Sequence, residues 1–136
     1  MLNFIKFLSL LLMFIFSFNQ VSFSKNLSID KMIFKDIDGK DFILSNLPGT
    51  VILVVNTASN CIFTSQYKEL QELTKKYSSK ELSIIAIPSN DFLNQEPGSN
   101  EEIKDFCESR YGITFPLMSK QKVMGNNKHS FYTWVE

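Results

Sequence analysis

The sequence predicts an α/β fold, and three observations carry that reading. Two short runs, Val51-Ile52-Leu53-Val54-Val55 and Leu82-Ser83-Ile84-Ile85-Ala86-Ile87, are apolar and rich in β-branched residues. Such runs read as strands buried on both faces, as in a parallel sheet. Between them Tyr67, Leu70, Leu73 and Tyr77 recur at helical spacing, and a helix joining two buried strands makes a βαβ unit. Upstream, two β-prone runs within residues 32–45 flank Asp38-Gly39. That dipeptide suits a tight hairpin turn, because Gly tolerates positive φ.

The remaining elements follow in order. Pro48-Gly49 marks a turn before the first buried run. Lys75 and Lys76 stand near the end of the predicted helix, where cations complement the helix dipole. Pro97-Gly98 is a second turn, and Ser99-Asn100-Glu101-Glu102 follows it. Ser at the N-cap with Glu three residues on is a capping box that starts a helix. Ile103, Phe106, Cys107 and Tyr111 share one face of that helix, and Gly112 is placed to end it. Phe115-Pro116-Leu117-Met118 reads as a third short strand and Gly125-Asn126-Asn127 as a loop. Residues 131–135 form an apolar stub too short to classify.

Composition narrows the function. Among 136 residues, 14 Lys+Arg balance 14 Asp+Glu, for a formal net charge of zero. With no basic excess to displace counterions from phosphates, bulk electrostatics exclude a nucleic-acid partner. A chain that is 44% hydrophobic and 21% charged is not a disordered acidic tail. The length allows one domain.

Residues 1–24 differ from the rest. They hold six of the 13 Phe and a single charged side chain, Lys6. A positive start, a short apolar core over residues 7–18 and small residues Ser22 and Ser24 read as a secretory signal peptide, cut after Ser24. The run is short for a spanning helix, and without a Cys it is not an acylated lipoprotein signal. An uncleaved membrane anchor is the alternative. Either way the domain over residues 25–136 is expected to be exported, to the periplasm or the exterior.

The two cysteines have different settings. Cys61 follows a buried strand and precedes a helix. A strand-to-helix junction is where an open α/β sheet places its reactive crevice, and backbone N–H groups at a helix start favour a thiolate. Cys107 lies mid-helix on an apolar face, as a small core residue would. An even Cys count in an exported domain equally fits a structural Cys61–Cys107 disulfide. There is no Cys-x-x-Cys pair, which disfavours a disulfide oxidoreductase. A lone His129 offers no metal set.

Three runs resemble the glutathione peroxidase family. They are Asn56-Thr57-Ala58-Ser59-Asn60-Cys61-Ile62-Phe63-Thr64-Ser65-Gln66-Tyr67, the stretch from Ile87-Pro88-Ser89-Asn90 through Gln95-Glu96-Pro97-Gly98-Ser99-Asn100-Glu101-Glu102-Ile103, and Tyr111-Gly112-Ile113-Thr114-Phe115-Pro116. The resemblance implies a thioredoxin-like fold: a central mixed sheet flanked by helices, with an N-terminal β-hairpin. It implies reduction of hydrogen peroxide or organic hydroperoxides, and so protection against oxidative stress. Cys61 matches the peroxidatic residue, Gln95 the Gln whose amide lies beside the sulfur, and Cys107 the resolving Cys of thioredoxin-recycled members. Phe115-Pro116 resembles the cis-proline bond of the fold.

No cofactor is implied. The partners are a peroxide and an external thiol reductant, glutathione or thioredoxin-like, with no stable membrane insertion once the signal is cut. In the chemistry so implied, the Cys61 thiolate becomes a sulfenic acid. Cys107 condenses with it to a disulfide, which an external dithiol reduces by exchange.

The sequence also departs from the family pattern. Ile62 and Leu93 stand where Gly is common, adding bulk near the site. The pattern runs on past Glu136 to a Trp-Asn-Phe motif that supplies two further catalytic residues, so the fold is expected to be incomplete at the C-terminus. Trp134 aligns with an earlier position and reads as a packing residue. The competing function is a non-catalytic thioredoxin-like remnant or binding module whose two cysteines form a static bridge.

Overall fold

The computed structural model describes residues 28–29, 32–49, 51–77 and 80–136. The predicted signal segment, residues 1–24, lies outside the described residues. Among those described, no helix is long and apolar enough to cross a membrane.

The hairpin forms where Asp38-Gly39 predicts it. Strands β1 (Ile33–Lys35) and β2 (Asp41–Ile43) pair antiparallel, with Phe34 opposite Phe42 and Lys35 opposite Asp41. Gly39 takes φ +82°, a conformation costly for a side chain with a Cβ. The Asp36 carboxylate closes the turn by accepting from the Asp38 and Lys40 N–H groups at 3.0 and 2.8 Å. Lys35 and Asp41 form an ion pair across the strands.

A short 3-10 turn (Leu44–Asn46) leads to the βαβ unit. Strand β3 (Val51–Thr57) pairs in parallel with β4 (Leu82–Pro88), in register from Val51 opposite Leu82 to Thr57 opposite Pro88. Helix α1 (Gln66–Lys76) connects them and buries Tyr67 and Gln71. The Gln71 side chain donates to the Thr114 hydroxyl and accepts from the Thr114 N–H, both at 2.9 Å.

Helix α2 (Asn100–Tyr111) starts with the predicted capping box. Ser99 Oγ accepts from the Glu102 N–H at 3.2 Å, and the Glu102 carboxylate accepts from the Ser99 N–H at 2.7 Å. Gly112 ends it in the left-handed region, φ +59°. The apolar stub of residues 131–135 belongs to a short helix, α3 (Ser130–Val135). His129 caps α3: its Nδ1 accepts from the Phe131 N–H at 3.2 Å. The His129 ring stacks on Phe34 at 4.2 Å, so it is a packing residue.

Residues 116–119 join the hairpin to the βαβ unit and complete a mixed sheet. The Ala86 N–H donates to the Pro116 carbonyl at 3.0 Å, and the Met118 N–H donates to the Ala86 carbonyl at 2.8 Å. On the other side the Ile37 N–H donates to the Leu117 carbonyl and the Ser119 N–H to the Lys35 carbonyl, both at 2.8 Å. The predicted third strand is thus a pair of single bridges, Ala86–Leu117 parallel and Asp36–Met118 antiparallel. The Phe115–Pro116 peptide is trans, which corrects the cis-proline expectation. The chain there runs extended into the sheet, and its carbonyl is used in a ladder bond.

Strand β4 divides the core. Ile85 and Ile87 face one cluster with Phe34, Leu44, Met118 and Phe131. Ile84 and Ala86 face the other with Tyr67, Ile103, Cys107 and Phe115. The alternation follows from the two-residue period of a strand. Burial on both faces, predicted for both runs, holds for β4 but not β3, where Val51 and Leu53 are exposed. Among the described residues β3 has a strand neighbour on one edge only.

Candidate active site

Cys61 lies in the turn between the C-terminal end of β3 and the start of α1. Its position is fixed locally by Thr64. The Thr64 hydroxyl accepts from the Cys61 N–H at 2.9 Å and lies 2.9 and 2.6 Å from the Ala58 and Cys61 carbonyls. The sulfur is half-buried, and the Phe63 N–H donates to it at 3.4 Å. A cleft of about 60 Å³ opens beside it, lined by Asn56, Thr57, Phe63, Tyr67 and Leu70 among others. That volume holds a few water-sized groups. Ile62 and Phe63 point outward, Ile62 being 86% exposed.

Gln95 is brought to the same place from the loop after β4. Its carbonyl accepts from the Asn60 N–H at 3.0 Å, one residue before Cys61. Asn60 therefore serves loop geometry through its backbone. Leu93 and Asn94, just before Gln95, both have positive φ, the costly backbone that a Gly would relieve. Leu93 is 88% exposed.

Cys107 is set apart. It is 0% exposed, within α2 and packed in the cluster with Tyr67, Ile103 and Ile113. Neither cysteine is in a disulfide. Burial pushes the Cys107 thiol up to about 11, with Glu96 and Glu108 adding to that and the adjacent Tyr67 hydroxyl opposing it. The Tyr67 hydroxyl lies beside both Cys107 and Thr57. Even so, neither Tyr67 Oη nor Thr57 Oγ1 completes a hydrogen bond of good geometry.

Three contacts around the site escape a reading of the sequence. Glu96, next to Gln95, is buried and accepts two hydrogen bonds from Ser59. Lys120 donates its ammonium to the carbonyls of Glu96, Pro97 and Gly98. Tyr132 of α3 donates to the Asn56 side chain at the end of β3. A charged residue in a polar loop reads as solvated, and only the folded chain brings Ser59 to Glu96. No group of three or more His, Cys, Asp or Glu among the described residues is arranged to hold a metal.

Known proteins resemble this chain over most of its length. The family model described as glutathione peroxidase matches residues 29–136. A glutathione peroxidase homolog of Bacillus subtilis, BsaA, is 47% identical over 109 residues, covering 80% of this chain and 68% of its own. A glutathione peroxidase-like peroxiredoxin of Schizosaccharomyces pombe is 51% identical over 102 residues, covering 75% and 65%. Among solved structures, the apo form of Trgpx superposes with a TM-score of 0.59 at 32% identity, over 81% of this chain and 64% of that one. The chain thus spans about two thirds of the length of these relatives. Its mixed sheet and helices have the thioredoxin-like fold. With a match that runs through the hairpin, the βαβ unit and both loops that meet at Cys61, the chain belongs to the glutathione peroxidase family.

Proposed function

We propose that this protein is a thiol-dependent peroxidase in which Cys61 is the reacting sulfur. One observation carries the reading: a half-buried thiol at the end of β3 accepts a backbone N–H and is tied through Asn60 to the Gln95 loop. The Cys61 thiolate attacks the distal oxygen of a hydroperoxide. A sulfur–oxygen bond forms, the O–O bond breaks, and the departing oxygen takes a proton to leave as alcohol or water. Gln95 supplies a side-chain N–H to the sulfur or the departing oxygen.

Cys107 then attacks the Cys61 sulfenic acid, forming the disulfide and releasing water. Because Cys107 is enclosed within α2, this step needs α2 to open locally. An external thiol reductant, either two glutathione molecules or one thioredoxin-like dithiol, then reduces the disulfide by exchange and is itself oxidised to a disulfide. The substrate is hydrogen peroxide or an organic hydroperoxide. Exposed Ile62 and Phe63 flank the sulfur with apolar surface, which favours the organic class. We also propose that the domain acts outside the cytoplasm, which fractionation of cells expressing the chain with and without residues 1–24 tests.

The deciding experiment uses the full chain. Cys61→Ser should abolish peroxide turnover with the circular dichroism spectrum unchanged. Cys107→Ser should leave a Cys61 sulfenic acid that dimedone traps. A Cys61 that stays inert to peroxide in the Cys107→Ser chain sinks the reading and favours the static remnant.

A further inference from the structure

Glu96 is 1% exposed, and a carboxylate withdrawn from water needs donors. Both donors come from Ser59. Its N–H and its hydroxyl reach the same carboxylate oxygen, at 2.8 and 3.1 Å. Ser59 stands two residues before Cys61, and Glu96 follows Gln95. The neighbouring pair is joined as well, because the Asn60 N–H donates to the Gln95 carbonyl at 3.0 Å. Two successive residues of one loop therefore grip two successive residues of the other.

The Glu96 side of this grip is itself braced. Its N–H donates to Asn90 Oδ1 at 2.9 Å. The Lys120 ammonium holds the carbonyls of residues 96–98 from beneath. On the Cys61 side, Thr64 provides the local cap but makes no reach to the Gln95 loop. Of the bonds between the two loops, only those to the Glu96 carboxylate use side chains, so only they can be removed by substitution.

We propose that Glu96 is a positioning residue, whose buried carboxylate holds the Cys61 loop in register with Gln95. The inference rests on Cys61 being the peroxidatic sulfur and goes beyond it by assigning what places that sulfur. Misplacing a reacting atom by about 1 Å can cost on the order of a hundredfold in rate.

The test uses the full chain carrying Cys107→Ser, so that Cys61 is the one thiol. Glu96→Ala should slow sulfenic-acid formation with hydrogen peroxide by about tenfold or more. Glu96→Gln keeps an oxygen that accepts from both Ser59 donors, and should stay within about threefold of the parent. Ser59→Ala loses only the hydroxyl, should fold even if Glu96→Ala does not, and should fall between. Alkylation of Cys61 by iodoacetamide, which needs no Gln95, should change much less than the peroxide step.

Amide hydrogen exchange at Ser59 and Asn60 reads the grip without any chemistry. It should quicken in Glu96→Ala and stay slow in Glu96→Gln. Should the parent Cys61 prove inert to peroxide, the proposed function fails, and exchange alone then decides the role of Glu96. Parent-like exchange at both amides in Glu96→Ala, or a parent-like peroxide rate, overturns the proposal.

Discussion

The Tyr67 hydroxyl and the Cys107 sulfur lie side by side in the core between α1 and α2. Burial of the Cys107 thiol there gives the fold an alkaline weakness. The Cys107 thiol is raised from 9.0 to about 11, chiefly by burial. Between those two values the unfolded chain has released the thiol proton while the folded chain still holds it. Stability is therefore full below about pH 9 and falls as pH rises towards 11. The loss attributable to Cys107 is about 2–3 kcal/mol. Urea denaturation at pH 8, 9, 10 and 11 should show it, and Cys107→Ala should remove that part of the slope. A wild-type slope unchanged in Cys107→Ala would refute the assignment.

Gln95 reaches the Cys61 loop through its backbone carbonyl, which a side-chain truncation leaves in place. Gln95→Ala should therefore preserve the loop and remove only the amide. The peroxide step should slow by about tenfold or more, up to the roughly hundred- to thousandfold (about 2.7–4 kcal/mol) seen on losing a charge-stabilising donor. Stopped-flow kinetics of sulfenic-acid formation measures this, and an undiminished rate removes Gln95 from the mechanism.

Ile62 is almost wholly exposed beside the sulfur. If it contacts the organic part of a peroxide, Ile62→Gly should lower kcat/KM for cumene hydroperoxide and spare that for hydrogen peroxide. The ratio should fall by about tenfold, matching about 1.5 kcal/mol for burying one branched aliphatic side chain. Equal losses with both peroxides would assign Ile62 to loop structure instead.

Burial raises the Glu96 carboxyl above its ordinary value, against the pull of the Ser59 donors and the Lys120 charge. Tyr67 and Cys107 also sense its charge. A raised carboxyl contributes most below its unfolded value and loses that contribution as pH rises through the folded one. Above its ordinary range Glu96 is thus a net cost to folding. Glu96→Gln should melt a few degrees higher than wild type at pH 7, with the gap closing in acid. Differential scanning calorimetry at pH 4 and pH 7 checks both the sign and the trend.

What could be read from the sequence was encoded over a few residues. Asp38-Gly39 specifies the hairpin, Ser99 and Glu102 cap α2, and Gly112 ends it. Each depends on bonds within one turn of chain. The βαβ unit was legible because β4 buries both faces, which leaves an unbroken apolar run. From it follows the junction that holds Cys61.

The rest depends on contacts between distant residues. His129 stacking on Phe34 and Glu96 bonding Ser59 have no local pattern. Exposure of Val51 and Leu53 depends on what flanks β3 rather than on the composition of β3. The trans state of the Phe115–Pro116 bond is likewise not announced by the dipeptide alone.

Helix α2 is anchored at each extremity: Asn100 Oδ1 at its first residue accepts from the Lys120 N–H, and the paired Gln71–Thr114 bonds fasten the chain just past Gly112. A segment moored at both ends cannot peel away from a tip. To present Cys107 it must bow outward from the middle, like the handle of a bucket. The distance that its sulfur travels is then set by the span between the moorings rather than by how far the helix unravels.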